Sequence, residues 1–329
     1  MRAIVITTPG APDVLEERDR PVPEPGPREI RVHVHATALN RADLLQRRGR
    51  YPAPPGVPAD VPGLEFAGEV DAVGRHVQRW VEGERVMGLV GGGGYSEAVV
   101  VHEREAVAVP DTLSLEEAAA VPEAFVTAHD ALFTRLGLAM GERLLIHAVG
   151  SGVGLAALQL AKAAGATTIG TSRTPEKLRR AVDAFGLDVA IDTADDEFAD
   201  AVRDAAGGEG VHAILDLVGG GYLAANIDSL ATLGRMVVVG LVSGRSAEID
   251  LGAVLRKRLT IVGTALRSRP LEQKIAAIRT FERHALPLLA DGRIRPVIDR
   301  IVPFDDVREA HRAMEANENF GKIVLSWEA

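Results

Sequence analysis

The strongest constraint on the fold is a unit that repeats between about Arg143 and Thr264, in which a helical segment rich in Ala and Leu follows a short apolar run. Strands that alternate with helices pair in parallel through right-handed crossovers, and the helices cover both faces of the sheet. The sequence therefore predicts an α/β fold with a doubly wound parallel sheet. Its predicted strands are Arg143–Ala148, Thr167–Thr171, Val189–Asp192, Val211–Leu217, Arg235–Gly240 and Leu259–Thr264.

The chain before this repeat has a different pattern. Residues Glu29–Leu39 alternate apolar and polar side chains, which predicts a strand with one buried face. Prolines cluster in two loops, at Pro21–Pro27 and at Pro52–Pro58. This part of the chain is therefore predicted to be a β-rich module.

The tail after Pro270 is predicted to contain a helical stretch, a strand, a helix from about Asp305 and a last strand. It is too short for a core of its own, so we expect it to join the β-rich module. The predicted domains are thus 1–122 with 268–329, and 123–267 inserted between them, with a cleft where the two meet. The helical stretch is Leu271–Asp291, and the two strands are Ile294–Val302 and Lys322–Ser326.

Composition excludes several classes of protein. With 47% hydrophobic and 25% charged residues among 329, the chain is neither disordered nor fibrous. Its apolar runs, such as Met236–Val239, fall far short of the roughly 20 residues that a membrane span needs. Residues Met1–Thr8 alternate like a strand and carry no small-residue cleavage site, so we expect no secretory signal and a cytoplasmic location.

Cysteine and charge narrow the chemistry further. The chain has no cysteine, which excludes disulfides, cysteine nucleophiles and zinc sites with thiolate ligands. Its formal charge is −9, and no dense basic stripe interrupts the acidic surface. Nucleic acid is therefore not expected as a partner.

A glycine-rich turn joins the first predicted strand of the repeat to a helix that continues to Ala164. Glycine lets the backbone approach a pyrophosphate, whose charge then lies at the helix N-terminus. The G-x-G-x-x-G fingerprint is degraded, because Val149 and Ser151 occupy its first two glycine positions, and an ordinary strand-to-helix turn is the alternative. The turn residues predicted to bind a dinucleotide are Gly150, Ser151, Gly152, Val153 and Gly154.

The residues at the end of the second strand of the repeat determine whether the site prefers NAD or NADPH. An acid there would bind the ribose 2′-hydroxyl of NAD, but the chain offers Ser172, Arg173 and Lys177 instead. A hydroxyl and two cations suit the 2′-phosphate of NADPH, which we therefore predict as the cofactor. The alternative is that Glu176 and Lys177 merely begin a solvent-exposed helix after Pro175.

Four segments in this order resemble the zinc-free quinone oxidoreductases of the medium-chain dehydrogenase/reductase superfamily, including zeta-crystallin-like members. The resemblance covers essentially the whole chain and implies a Rossmann domain inserted into a GroES-like catalytic domain, NADPH as the cofactor and a homodimer. It also implies that zinc is absent, since zinc-dependent relatives carry a ligand His where this chain has Leu64. The segments are Asn40–Tyr51, Gly63–Val70, Ile146–Gly154 and Asn319–Val324.

The resemblance further implies roles for individual residues. Those expected near the nicotinamide or the substrate are Asn40, Asp43, Tyr51 and Thr127. Those expected to bind the cofactor at strand ends are Leu217, Gly219, Gly240 and Leu241, and those expected to close over it are Leu266, Arg267, Asn319 and Lys322. Asp43 could equally begin a helix, Tyr51 could be a packed aromatic residue, and Thr127 could be an ordinary helix position.

One departure from the family pattern concerns the adenosine phosphate. Where family members often have a contacting Tyr, this chain has Thr193, so Ser172 or Arg173 together with Lys177 must provide most of the selectivity. A weaker preference for NADPH is therefore expected.

The expected activity is reduction of a quinone by NADPH in the inter-domain cleft. Without a metal, nothing polarises an alcohol, whereas a quinone is already electron-poor and needs mainly to be held in place. The first alternative is reduction of an activated C=C bond in an enone, alkenal or enoyl thioester, with Tyr51 as the proton donor. The second is a nucleotide- or RNA-binding or structural, crystallin-like protein, which the acidic charge disfavours.

Overall fold

A computed structural model describes residues 1–195 and 197–328. In the described chain the strands are β1 Arg2–Ile6, β2 Leu15–Asp19, β3 Glu29–Ala38, β4 Glu65–Val73, β5 Arg85–Leu89, β6 Ala98–His102, β7 Ala106–Ala108, β8 Arg143–Ile146, β9 Thr167–Ser172, β10 Val189–Asp192, β11 Val211–Asp216, β12 Leu230–Val238, β13 Thr260–Gly263, β14 Ile298–Pro303 and β15 Lys322–Ser326. The α-helices are α1 Arg41–Arg47, α2 Leu115–Ala119, α3 Thr127–His129, α4 Gly152–Ala163, α5 Pro175–Phe185, α6 Ala199–Ala205, α7 Leu223–Ser229, α8 Leu251–Lys257, α9 Leu271–His284, α10 Leu286–Ala290 and α11 Val307–Glu315. Short 3₁₀ turns lie at Pro12–Val14, Gly220–Tyr222 and Phe304–Asp306, and π-helical turns at Pro122–Val126 and Asp130–Arg135.

The chain divides into two units. The first unit contains Met1–Val126 and the chain from Leu266 onward, and the second unit contains Thr127–Ala265. The second unit is therefore an insertion into the sequence of the first.

The second unit contains a six-stranded parallel sheet in the order β10-β9-β8-β11-β12-β13. Numbered within the unit, this is the order 3-2-1-4-5-6 of the doubly wound dinucleotide-binding fold. Each of the six predicted strands is present, so the predicted fold class is confirmed. Because β13 forms one edge of this sheet, it is open to pairing, and the homodimer stays a prediction.

The largest difference within this sheet is the start of β12. The strand begins at Leu230 instead of Arg235, and its pairing with β11 is irregular between Val211 and Ala213. Leu233 has a left-handed backbone with a φ of 65° and an exposed side chain. An exposed, irregular stretch has no apolar periodicity, so the sequence pattern could not reveal it.

The first unit contains a sheet in the order β14-β15-β3-β4-β5-β7, with β6 also paired to β3, and a separate β1-β2 hairpin. The last strand, β15, lies antiparallel to β3, with Val324 opposite Ala38. The last strand of the tail therefore belongs to the sheet of the β-rich module.

Two elements of the tail are shorter than predicted, in both cases next to a proline. The helical stretch is broken at Ala285 into α9 and α10, because Pro287 has no N–H to continue the hydrogen bonds of α9. Strand β14 begins only at Ile298, after Pro296. Among the described residues, no helix combines the length and the apolar character that a membrane crossing requires.

Candidate functional site

The glycine-rich turn of the second unit lies between β8 and α4. Ser151 caps the helix, and its Oγ accepts a hydrogen bond from the backbone N–H of Gly154 at 3.1 Å. A Cβ atom on Gly154 would lie 2.6 Å from the carbonyl oxygen of Ala148 and 2.7 Å from that of Val149. Only glycine lets the helix start this close to the turn. The backbone N–H groups of the partly exposed Gly152 and Val153 at the helix start can bind an anion.

The end of β9 carries the three residues predicted to select the adenosine phosphate. Ser172 is buried and its Oγ accepts the N–H of Thr174 at 3.1 Å, Arg173 is exposed and Lys177 is half-buried. The adjacent acid, Glu176, is paired with Arg179 of the same helix. A hydroxyl and two cations are therefore grouped at this strand end.

One carboxylate at this edge escaped the sequence reasoning. Asp192 lies opposite Ser172 on the neighbouring strand, and its Oδ1 accepts the N–H of Ala194 at 3.0 Å. Thr193 donates its backbone N–H to the carbonyl of Ser172 at 3.0 Å. The negative charge of Asp192 is of the same sign as a 2′-phosphate and would repel one bound at this strand end.

The glycines predicted at the ends of β11 and β12 pack against each other. A Cβ atom on Gly240 would lie 2.4 Å from the carbonyl oxygen of Leu217, and one on Gly219 would lie 2.9 Å from the carbonyl oxygen of Gly240. The side chain of Leu241 is half exposed, and that of Leu217 is partly buried. The two strand ends are thus fixed in position relative to each other.

A buried series of side-chain hydrogen bonds lies next to these turns, and the sequence analysis does not predict it. Asn226 Nδ2 donates to Asp216 Oδ2 at 3.3 Å, so Asn226 Oδ1 must accept from Nε2 of His147, at 2.6 Å. Nδ1 of His147 then accepts from the hydroxyl of Thr171 at 2.8 Å. Burial lowers the pKa of His147 to about 4, so the ring is neutral at pH 7. Asp216 completes the series by accepting the N–H groups of Val218 and Gly219 through Oδ1.

In the first unit, a buried ion pair joins β4 to β15. The Nζ atom of Lys322 donates to Oε1 of Glu65 at 2.8 Å, to Oδ1 of Asn40 at 2.7 Å and to the carbonyl of Leu39 at 2.8 Å. Asn40 Nδ2 donates to the same Oε1 atom at 2.8 Å, and the backbone N–H of Glu123 donates to Oε2 at 2.7 Å. Both oxygens of Glu65 and all three protons of Lys322 are therefore used.

Asp43 lies beside this pair, as the third residue of α1. Its Oδ2 accepts the backbone N–H of Asn40 at 2.8 Å, and its Oδ1 accepts that of Gly63 at 3.1 Å. Burial raises the pKa of Asp43 to about 6, although both backbone hydrogen bonds lower it. Asp43 thus lies in the first turn of α1, and its hydrogen bond to Gly63 joins α1 to the segment that precedes β4.

A second buried series of hydrogen bonds connects Asp43 to α11. Arg47 can only donate, so Nδ1 of His311, at 3.0 Å from Arg47 Nη1, is the acceptor and Nε2 carries the proton. Nε2 donates to the hydroxyl of Tyr95 at 3.2 Å, and that hydroxyl donates to Oδ2 of Asp43 at 3.4 Å. Burial lowers the pKa of His311 to about 3 and raises that of Tyr95. Both side chains are neutral at pH 7.

Tyr51 is held by Arg267, which lies over its ring at 4.6 Å. The guanidinium also donates to the carbonyl of Gly91 at 2.6 Å and to Oε1 of Gln46 at 2.6 Å. The glycine loop that starts at Gly91 is buried, and a Cβ atom on Gly91 would lie 2.9 Å from Val57. Arg267 therefore fixes the loop that carries Tyr51, and burial raises the pKa of the Tyr51 hydroxyl.

The family follows from comparison with known proteins. Residues 26–111 match the model described as an alcohol dehydrogenase GroES-like domain, and residues 152–283 match the one described as a zinc-binding dehydrogenase. A quinone oxidoreductase of Pseudomonas aeruginosa is 36% identical over 321 residues, which cover 96% of each chain. The chain belongs to the quinone oxidoreductase family of the medium-chain dehydrogenases/reductases.

Solved structures of other oxidoreductase-type proteins share the architecture of this family member. A mycobacterial protein in complex with NADPH is 30% identical, with a TM-score of 0.89 and 99% coverage of both chains. An NAD-dependent alcohol dehydrogenase is 33% identical, with a TM-score of 0.87 and the same coverage. These likenesses support an oxidoreductase that uses a nicotinamide cofactor.

The name of one matched model raises the question of whether zinc fits this family member. The side chain of Leu64 is buried and offers no lone pair, and both oxygens of Glu65 are occupied by N–H donors. In residues 1–195 and 197–328, no three His, Cys, Asp or Glu side chains are grouped as metal ligands. This donor set does not fit a zinc ion.

Several of the predicted site residues meet in the first unit. Asn40, Asp43 and Lys322 surround Glu65, and Tyr51 lies against Arg267. Thr127 is the first residue of the second unit and is buried. Leu266 is also buried, and Nδ2 of Asn319 donates to the carbonyl of Gly321 at 2.7 Å.

Sequence reasoning missed Glu65 as an ion-pair partner, and it missed Glu123 altogether. A signal for Glu123 existed, because it is the one charge in the run Ala118–Val126, where the other residues are Ala, Val, Pro and Phe. No local pattern could predict which residues pair with His311 and Lys322, because each partner is more than 200 residues away in the sequence.

Proposed function

We propose that this chain reduces quinones with NADPH and does so without zinc. The observation that carries the proposal is the saturated Glu65 carboxylate beside a leucine, in a chain that has no cysteine. With no electrophilic metal, an electron-poor acceptor is the substrate class that the site supports best. The similarity to a quinone oxidoreductase over nearly the whole chain points the same way.

The bound cofactor supplies the hydride, and the residues of this chain bind and orient it. The N–H groups at the start of α4 fit a pyrophosphate, and Ser172, Arg173 and Lys177 fit a 2′-phosphate. In the first unit, Asn40 and Tyr51 are held in place by Lys322 and Arg267. Their fixed positions suit orientation of an acceptor, which is the main task when no metal assists.

Anaerobic oxidation of NADPH by the purified protein tests the proposal, with an ortho-quinone, a para-quinone and an enone as acceptors and with NADH as the comparison. We expect a quinone to be turned over fastest, and prolonged dialysis against a metal chelator to leave the rate unchanged. Loss of activity that zinc alone restores would contradict zinc independence. Failure of every quinone would contradict the proposed substrate class.

The cofactor preference is tested by removing two charges from the end of β9. In the variant Arg173→Ala/Lys177→Ala we expect KM for NADPH to rise roughly tenfold or more, with little change for NADH, because a charge-assisted hydrogen bond contributes about 1.5–3 kcal/mol. The control is Arg179→Ala, which removes a positive charge from α5, the helix that also carries Lys177. An equal change for both cofactors would show that the two residues do not bind the 2′-phosphate.

Reduction of an activated C=C bond is the second candidate, and Tyr51 is the observation in its favour. This reaction must protonate a carbon, and the hydroxyl of Tyr51, which is neutral at pH 7, is the candidate donor. Turnover of the enone without turnover of either quinone would select this function.

A further inference from the structure

Glu123 is an acid with no role in the functions considered so far. It follows Pro122 in the π-helical turn Pro122–Val126, and its side chain is only partly buried. Its backbone N–H is fixed to Oε2 of Glu65 at 2.7 Å. The backbone of Glu123 is therefore held at the buried ion pair, and the residue as a whole is not completely enclosed.

The charges around Glu123 favour its neutral form. Lys322 donates its three N–H protons to Leu39, Asn40 and Glu65, so none is left to donate to Glu123. The charge of Lys322 is already balanced by Glu65, and Asp43 is a further acid in the same region. A third carboxylate here would lack a cationic partner, which is unfavourable in a partly buried place.

The elements packed around the turn add no charge that would reverse this balance. The groups that act on Glu123 electrostatically are Glu65 of β4, Asp43 of α1, Lys322 of β15 and Arg267. Next to Pro122 and Val126, α9 presents Ile278 and Phe281, and β5 presents Leu89. Glu105 lines the same cavity, but it is paired with Lys274 of α9 at 2.6 Å, so these two charges balance each other. Burial, together with the nearby Glu65 carboxylate, raises the pKa of Glu123 to about 8, and Lys322 and Arg267 lower it only in part.

We propose that Glu123, a partly exposed residue whose backbone N–H is bonded to Glu65 of the Glu65–Lys322 pair, donates a proton to the acceptor during reduction. This inference rests on the proposed function. The acceptor takes one hydride from NADPH and becomes a hydroquinone anion, and the O–H of Glu123 then supplies the proton that makes it the hydroquinone. The resulting carboxylate recovers a proton from water, so each turnover consumes one NADPH, one quinone and one proton.

The neighbouring acid, Asp43, suits this role less well. It is completely buried and accepts from Asn40, Gly63 and Tyr95, so its oxygens are already occupied. Glu123 differs from it in having both a proton at pH 7 and an exposed part.

The test compares Glu123→Gln with wild type over pH 6–10, with a quinone as acceptor. In the wild type we expect kcat to fall about tenfold per pH unit above pH 8, as the donor loses its proton. In Glu123→Gln we expect kcat at pH 7 to be roughly 100-fold lower and this fall to be absent. Glu123→Asp should restore part of the rate and a fall at high pH, and Glu17→Gln, on the exposed part of β2, should match the wild type.

Infrared spectroscopy provides a readout that does not depend on activity. The carbonyl band of a neutral carboxyl group should be present at pH 7, disappear with a midpoint near pH 8, and be missing in Glu123→Gln. The fluorescence of Trp80 and Trp327, both in the first unit, shows whether each variant is folded.

The outcomes separate this inference from the proposed function. An active wild type whose pH profile is unchanged in Glu123→Gln, or whose carboxyl band is absent at pH 7, would overturn the role of Glu123 alone. A wild type that reduces no quinone or enone would overturn the proposed function, and the proton-donor role with it.

Discussion

Replacing Lys322 by Met is expected to lower the free energy of unfolding of the first unit by about 3–5 kcal/mol. The side chain of Glu65 is completely buried, and Lys322 provides its only cationic hydrogen bond among the described contacts. Methionine fills a similar volume but leaves the Glu65 carboxylate without its partner and the carbonyl of Leu39 without a donor. An uncompensated buried charge is the reason for the large effect.

The measurement is urea unfolding followed by the fluorescence of Trp80 and Trp327. The chain has two tryptophans, and both lie in the first unit, so the signal reports on that unit. The control is Arg104→Met, which breaks an exposed pair with Glu272 in the same unit and should change the midpoint hardly at all.

A double variant separates the charge from the packing. Lys322→Met/Glu65→Gln removes both charges, so it should recover a large part of the stability that Lys322→Met loses. A double variant as unstable as Lys322→Met would show that the lost hydrogen bonds to Leu39 and Asn40 dominate. Wild-type stability in Lys322→Met would contradict the ion pair itself.

The fold could be predicted because its signals are local. The apolar runs of β8 to β13 each stand out within a few residues, and their alternation with helices specifies a parallel sheet. The errors occur where local rules compete, at the irregular start of β12 and at the prolines that shorten α9 and β14.

The polar contacts of the site could be predicted only in part. The capping position of Asp43 is visible in the sequence, since Asn40 precedes it by three residues. The pairing of Glu65 with Lys322 joins residues 257 positions apart, and that of Arg47 with His311 joins residues 264 apart. Periodicity carries no information about such contacts, because the fold alone brings those side chains together.

The resemblance to the family identifies candidate site residues, but it does not identify their hydrogen-bond partners. The resemblance implies that Lys322 and Arg267 close over a cofactor, which stays a prediction. In this structure both side chains donate hydrogen bonds to side chains and carbonyls of the first unit. Their structural contacts hold Asn40 and Tyr51 in position. A positioning role for both cations therefore accounts for their burial.

In the second unit, we expect Gly154→Ala to weaken NADPH binding roughly 100-fold, which corresponds to about 2.7 kcal/mol. The new Cβ atom would come within 2.6 Å of the carbonyl oxygen of Ala148 and 2.7 Å of that of Val149, closer than real Cβ contacts allow. Because both neighbours are backbone atoms, α4 must move away from the turn. The N–H groups at its first turn then no longer converge on a pyrophosphate, and two charge-assisted hydrogen bonds of about 1.5 kcal/mol each account for the loss.

The dissociation constant is measured from the change in NADPH fluorescence on binding, and circular dichroism shows whether the helices are kept. Gly263→Ala is the matched control, because it lies in the same unit and its new Cβ would meet nothing within 4 Å. The strain in Gly154→Ala should also cost the second unit about 1–3 kcal/mol of stability. A folded Gly154→Ala variant that binds NADPH as tightly as Gly263→Ala would show that the pyrophosphate does not bind at this turn, and the degraded fingerprint would then be an ordinary strand-to-helix connection.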